Sequence, residues 1–363
     1  MIKLFKNENK TYELPLARNY VAHWGLVEAV REILQNAIDS DSPFRCTYVD
    51  NVLRIVSENS ELPIRTLLLG NTTKSDDTSK IGSFGEGYKI ALLVLAREEI
   101  PVKIYNGGVI WNPYFGLSDT FGEEVLMIKE EWRDKNYQDR LVFELSNISE
   151  TDYEAVKKSC LYLWTSEEVG QVMPTAYGNI MTKNSGKLYV NGLYVCDTEL
   201  DYSYDIKPEY IQLERDRKTV SDWELKYMSK NMWFDTGRYD EVAEMIENGI
   251  PDMYNADINT PSLVKEACYN LFKRKHPGAV AAKSQEELDR LVANGMTNVV
   301  FVNPTYHTVL GYETTYANQA KVAIMTPTET LSGWLRENRK HMRKEAIVNF
   351  KQLAEKAEGW KVK

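Results

Sequence analysis

The chain is poor in the features that mark secreted, membrane-embedded or zinc-bound proteins. Its 363 residues include four cysteines, Cys46, Cys160, Cys196 and Cys268, and no C-x-x-C pair. That spacing supplies neither a disulfide framework nor a structural zinc site, and the four histidines do not cluster. The longest uninterrupted apolar run, Ile90 to Ala96, is far too short to cross a bilayer, and the opening Met-Ile-Lys-Leu-Phe-Lys lacks the apolar stretch of a signal peptide. The expectation is a cytoplasmic location with no membrane contact. There is no G-x-x-x-x-G-K-[ST] loop, no G-x-G-x-x-G dinucleotide fingerprint, and neither the catalytic-loop nor the metal-aspartate signature of a protein kinase. Internal repeats and low-complexity linkers are missing too. A formal charge of -9 argues against nucleic acid coating the whole surface, while leaving room for a local basic patch.

What is present suits a soluble globular protein of two or three packed units: 43% of residues are hydrophobic and 27% charged, enough of each for cores and solvated faces. Glu32, Asn36 and Asp39 occupy positions i, i+4 and i+7 of the run Arg31-Glu-Ile-Leu-Gln-Asn-Ala-Ile-Asp39. On a helix these positions share one face, so a carboxylate, an amide and a second carboxylate project into the same space. Ile33, Leu34, Ala37 and Ile38 between them can pack on a sheet. About forty residues later the run Gly82-Ser-Phe-Gly-Glu-Gly-Tyr-Lys89 opens the apolar stretch Ile90 to Ala96. Free amides and a helix dipole at such a start suit anionic phosphates. The two elements together read as a nucleotide site.

These motifs resemble those of the Bergerat-fold ATPases, the GHKL superfamily of gyrases, heat-shock chaperones, histidine kinases and MutL proteins. The first motif of that family is E-x-x-x-N-A-x-D, filled here by Glu32, Asn36, Ala37 and Asp39. The later run resembles the G-x-x-G-x-G-[FY]-K form of the MORC ATPases and heat-shock chaperones, filled by Gly82, Gly85, Gly87, Tyr88 and Lys89. The resemblance implies Mg²⁺-dependent binding and hydrolysis of ATP. Glu32 would orient and deprotonate the attacking water, and Asn36 would give its amide oxygen to Mg²⁺, a hard ion that favours oxygen ligands. Lys89 and the amides around Gly85 and Gly87 would neutralise phosphates, and Asp39 would complete the polar face. The segment Leu67 to Asp77 corresponds to the lid that closes over the nucleotide, with Thr73 and Lys74 within reach of phosphates.

The sequence departs from the family where adenine is read. The usual D-x-G-x-G is replaced, after Leu53-Arg-Ile-Val56, by Ser57-Glu-Asn-Ser-Glu-Leu-Pro63. Ser57 or Glu58 is left as the adenine acceptor, and Asn59 as the residue able to take the positive φ that glycine normally supplies.

The expected fold is α+β: a Bergerat-type α/β sandwich over residues 1–150, a transducer-like unit over 151–235, and a C-terminal α/β region over 236–363 that ends in a basic amphipathic helix. Residues 1 to about 20 read as a hairpin-like opening. Asn191-Gly192 between two short β runs is a strong hairpin signal, and it resembles a hairpin of the MutL transducer domain. Beyond it lie Arg215, Arg217 and Lys218, and the resemblance implies that a cation from this unit reaches the γ-phosphate. In the last third, a helix over Gln285 to Ala293 and a buried strand at Asn298 to Val302 predict a small βαβ-like module. Thr326-Pro-Thr-Glu329 predicts a helix start, the helix running to about Glu358 with Arg336, Arg339, Lys340, Arg343 and Lys344 opposite Leu335, Met342, Ala346 and Phe350.

Three function classes follow: an ATP hydrolase whose lid closure drives a shape change or homodimerisation, a non-hydrolysing ATP sensor, and an ATP-gated nucleic-acid clamp of MutL or MORC kind. A topoisomerase is excluded by length, and a histidine kinase is disfavoured because no phospho-acceptor helix is evident. The compact architecture also resembles phage-encoded Bergerat ATPases, including the rIIA-like proteins.

Overall fold

Seven strands of the N-terminal region pair antiparallel throughout: β1 (Lys10–Ala17), β2 (Phe44–Val49), β3 (Val52–Glu58), β4 (Val102–Asn106), β5 (Val109–Leu117), β6 (Glu124–Trp132) and β7 (Arg140–Ser146), in the order β1-β6-β5-β4-β7-β3-β2. These come from a computed structural model that describes residues 10–40, 42–68, 87–132, 139–213, 220–317, 320 and 327–357. The protein is α+β. It divides into two compact units, Met1–Val172 with Met181–Thr198 and Ser203–Thr219, and Met173–Ile180 with Glu199–Tyr202 and Val220–Lys363. The sequence had set its divisions at 151 and 236 instead.

Period-two alternation makes the sheet of the first unit two-faced. Leu53, Ile55 and Ser57 of β3 are buried on one face, and their neighbours Arg54 and Glu58 lie on the other. The buried face is covered by α1 (Leu26–Asp39) and α2 (Gly87–Arg97). Ala29, Val30, Ile33, Leu34 and Ala37 of α1 join Ile90 to Leu95 of α2 in one core with Leu14, Ile104, Trp111, Leu126, Phe143 and Leu145. The opposite face is charged and paired. Arg54 meets its cross-strand partner Glu144 at 2.8 Å, and Glu58 receives both its partner Arg140 at 2.6 Å and Arg45. β1 pairs with β6, far away in sequence, so the described part of the opening is an edge strand of the main sheet and no local hairpin. Its buried Leu14 and Leu16 need the helix-covered face, which a two-stranded ribbon cannot provide.

The remainder of the first unit holds α3 (Glu150–Lys158), the single turn α4 (Ser166–Val169) and three further strands. Of these, β10 (Lys187–Val190) pairs antiparallel with β11 (Leu193–Asp197) and parallel with β12 (Ser203–Ile206). β8 (Val172–Thr175) and β9 (Gly178–Met181) precede them in the chain and fall almost wholly within the second unit. The β10–β11 turn is the predicted Asn-Gly hairpin, with φ of +49° at Asn191 and +77° at Gly192.

The second unit is mainly helical: α5 (Asp222–Asp235), α6 (Tyr239–Asn248), α7 (Ser262–Lys275), α8 (Gln285–Ala293) and α9 (Pro304–Gly311). Its buried Asp252 carboxylate accepts the backbone N–H groups of Asp201 and Tyr202 at 2.8 and 3.3 Å. The βαβ module forms as predicted, with β13 (Val280–Ala282) parallel to β14 (Val299–Phe301) and α8 between. β14 is less buried than expected, with Phe301 57% exposed, because this small sheet has only two strands to cover it.

The single C-terminal helix expected from about 327 to 358 is two helices, α10 (Pro327–Asn338) and α11 (Lys344–Lys356), separated by a 3-10 turn at Arg339–His341. Folding back lets Trp334 stack on Phe350 at 4.9 Å and the Thr328 hydroxyl donate to the Ala354 carbonyl at 3.1 Å. The break also spares Arg339, Lys340, Arg343 and Lys344 a continuous helical array of like charge. Those residues therefore sit at the bend rather than along one helix, and Ala346, expected on the apolar face, is exposed.

Candidate functional site

The site is built where α1 and α2 pack against each other. Gly25 caps α1, its N–H donating to Glu28 Oε2 at 3.0 Å. Arg97, the last residue of α2, donates to the carbonyls of Tyr20 at 3.1 Å, Val21 at 3.4 Å and Trp24, which ties the segment entering α1 to the end of α2. With the start of α1 near the end of α2, the helices run antiparallel. The second half of α1 therefore meets the start of α2.

At that meeting point Glu32 and Gly87 touch. A Cβ built on Gly87 would lie 3.1 Å from Glu32 Cδ and closer still to Oε2, so the glycine's bare Cα leaves the space the carboxylate fills. Two regions separated by more than fifty residues are thus brought together. Glu32 and Asp39 are each 2% exposed and Lys89 is 1% exposed, an unusual depth for charged groups. Each of the three engages a partner, as burial of charge requires. Asn36 is half-buried, and its Nδ2 donates to the Glu32 carbonyl one turn back at 2.8 Å. Only the amide nitrogen can donate to a carbonyl, so this bond fixes the flip and turns Oδ1 away from the helix backbone.

Tyr88 follows Gly87 and packs its ring on Phe143 of β7, with centroids 5.1 Å apart. Its hydroxyl is buried without a hydrogen-bond partner among the described residues, and burial pushes it well above the usual phenol range.

The two candidates for reading adenine separate onto opposite faces of β3. Ser57, 5% exposed, shares the helix-covered face with Leu53 and Ile55. Glu58 lies on the other face between two guanidinium groups. Burial pushes its carboxyl up, but Arg45 and Arg140 outweigh that and hold it below the usual range. Glu58 is therefore committed elsewhere, and Ser57 alone of the pair lies on the face that α1 and α2 cover. The chain then turns at Asn59 with φ +49°, the conformation glycine would otherwise supply.

Thr73, Lys74, Gly82, Gly85, Arg215, Arg217 and Lys218 lie outside the described residues. Three groups were not anticipated. Arg97 is one. Asn106 is another: it is 2% exposed and brackets Leu62, accepting from its N–H and donating to its carbonyl, both at 2.9 Å, which fixes the segment after Ser57. The third is Gln35, 1% exposed on the polar side of α1. Only Gln35 carried a signal, its place between Glu32 and Asp39 on the helix face. Nothing local marks Asn106 or Arg97, whose partners are distant in sequence. Among the described residues, no group of three or more His, Cys, Asp or Glu is placed to hold a metal ion, and no helix is long and apolar enough to cross a membrane.

Comparison with known proteins gives two similarities. Residues 151–236 match a family described as the Mycoplasma pneumoniae MPN635 N-terminal domain. The chain is also 26% identical over 224 residues to an uncharacterized protein of Mycoplasma pneumoniae (strain ATCC 29342 / M129 / Subtype 1), an overlap of 56% of this chain and 89% of that protein. Neither description carries an activity.

Proposed function

We propose that the first unit binds ATP with Mg²⁺ and hydrolyses it in the manner of the GHKL ATPases. The observation that carries this reading is the contact of Glu32 with Gly87, which joins the acidic helix face to the end of the glycine run. Glu32 would take the proton of the attacking water, a role that needs a carboxylate shielded from bulk solvent. Asn36 would present Oδ1 to Mg²⁺; the ion would neutralise phosphate charge and needs few protein ligands, because it keeps waters and phosphate oxygens in its shell. Lys89 and the amides at the start of α2 would meet the phosphates, with Thr73 and Lys74 closing from the lid. Ser57 would face the adenine amino group. A cation among Arg215, Arg217 and Lys218 would report the γ-phosphate and link binding to homodimerisation.

The test is a pair of variants. Glu32→Ala should keep affinity for a non-hydrolysable ATP analogue while turnover falls by roughly 10²- to 10⁴-fold. Asn36→Ala should lose Mg²⁺-dependent binding. Equal turnover by wild type and Glu32→Ala would discard the hydrolytic mechanism, and unaltered analogue binding by Asn36→Ala would discard the site. Subunit mass with and without the analogue, repeated with duplex DNA at two salt concentrations, separates homodimer and nucleic-acid clamp from a monomeric sensor.

A further inference from the structure

We infer that Gly87 is a positioning residue for the general base: its hydrogen side chain sets where the Glu32 carboxylate stands, and this, rather than close approach of its backbone to phosphate, is why the position is glycine. The inference rests on the nucleotide-site reading above. Two observations support it independently. Gly87 is the first residue of α2 and its φ lies outside the left-handed range, so its backbone conformation is open to any L-residue. A helix start would even favour alanine, which loses less conformational freedom on folding. The space around it, however, is full on one side. The three nearest atoms to an added Cβ are Oε2, Cδ and Cγ of Glu32, with Cδ at 3.1 Å and Cγ at 3.7 Å. What glycine provides here is room for one carboxylate.

Glu32 has little freedom to yield. It is 2% exposed on a helix whose neighbours Ile33 and Leu34 are locked in the core. A methyl group at 87 would push the carboxylate by more than about 1 Å, and displacements of that size at a reacting group cost on the order of 100-fold in rate. Shortening the acid relieves the conflict, since aspartate withdraws the carboxylate by one carbon–carbon bond, about 1.5 Å.

The experiment is a double-mutant cycle on the full chain with Gly87→Ala, Glu32→Asp and the double variant, measuring kcat and KM for ATP, the Kd of a non-hydrolysable ATP analogue, and the melting temperature. Gly87→Ala should lower kcat by on the order of 100-fold while the analogue Kd changes by less than about 3-fold. In the Glu32→Asp background the same substitution should lower kcat by less than about 3-fold. Equal losses in both backgrounds, or a loss of analogue affinity with kcat retained, overturn the inference in favour of a phosphate-cradling glycine. If the wild type binds no ATP, the nucleotide reading itself falls, and the role of Gly87 in catalysis falls with it. The melting temperatures still report the packing: Gly87→Ala should destabilise the chain when Glu32 is present and less when it is aspartate, and equal shifts in both would remove the contact on which the inference stands.

Discussion

The buried hydroxyl of Tyr88 yields a prediction whose sign is opposite to the usual effect of a core substitution. Tyr88→Phe removes one oxygen and leaves the ring in place against Phe143, 5.1 Å away between centroids. That oxygen is buried with no hydrogen-bond partner among the described residues, and burial pushes the phenol well above its usual range. Leaving a buried polar group unsatisfied costs about 1–3 kcal/mol, whereas a phenylalanine of the same shape has no such penalty. The substitution should therefore stabilise the nucleotide-free protein by about 1–2 kcal/mol. For a unit of this size that is an upward shift in melting temperature of roughly 2–8 °C. Calorimetry on the two proteins at neutral pH, without nucleotide, measures it. A phenylalanine variant that melts below the wild type would refute the reasoning, because the hydroxyl must then be satisfied. A companion measurement with an ATP analogue asks whether ligand supplies the missing partner: if so, the ligand-induced shift shrinks in the variant.

Three further outcomes follow from other sites. Glu58→Gln should change ATP affinity by less than about 2-fold, since Glu58 faces away from the helices, whereas Ser57→Ala should weaken it several-fold, by the roughly 1 kcal/mol of a lost hydrogen bond; calorimetric titration of the two variants decides, and the reverse order would return Glu58 to the site. Lys230 of α5 is fully buried, donates to the Ile258 carbonyl and lies 4.3 Å from the Tyr227 ring centroid. Burial lowers its ammonium to about 8 from 10.5, with Asp257 acting in the opposite direction. Between those pH values the unfolded chain holds the proton that the folded chain has released, so stability should rise with pH through this window. Wild-type stability relative to Lys230→Met, from urea unfolding at a series of pH values, should climb there, and a flat difference would contradict it. Gly192→Ala should cost about 2 kcal/mol or more, because its φ is +77° and the new methyl would lie 2.8 Å from Tyr162 Cδ2; a urea midpoint equal to wild type would refute the strain argument.

The parts of this fold that could be read from sequence are those fixed by short-range periodicity. The i, i+4, i+7 spacing places Glu32, Asn36 and Asp39 on one helix, and all three lie on α1. The Asn-Gly pair locates the β10–β11 turn. What was not legible depends on contacts distant along the chain. Which face of β3 the helices would cover separates Ser57 from Glu58, and Glu58 is held on the other face by Arg45, 13 residues earlier in β2, and Arg140 of the neighbouring strand β7. Arg97 and Asn106 act on backbone carbonyls and amides, which leave no trace in residue type. The break between α10 and α11 was missed because the stretch from Arg339 to Lys344 has no proline or glycine. Repulsion among its cations and the gain of the Trp334–Phe350 stack outweigh helix propensity there.

The two-faced character of β3 makes its alignment self-correcting. If the strand slid one residue against β7, Arg54 and Glu58 would enter the hydrocarbon layer beneath the helices and Leu53 and Ile55 would be left in water. That slip is thereby penalised several times over, and Ser57 stays on the face that α1 and α2 cover. A hydroxyl at this position is thus held by the register of its strand, which the buried and the charged faces enforce together.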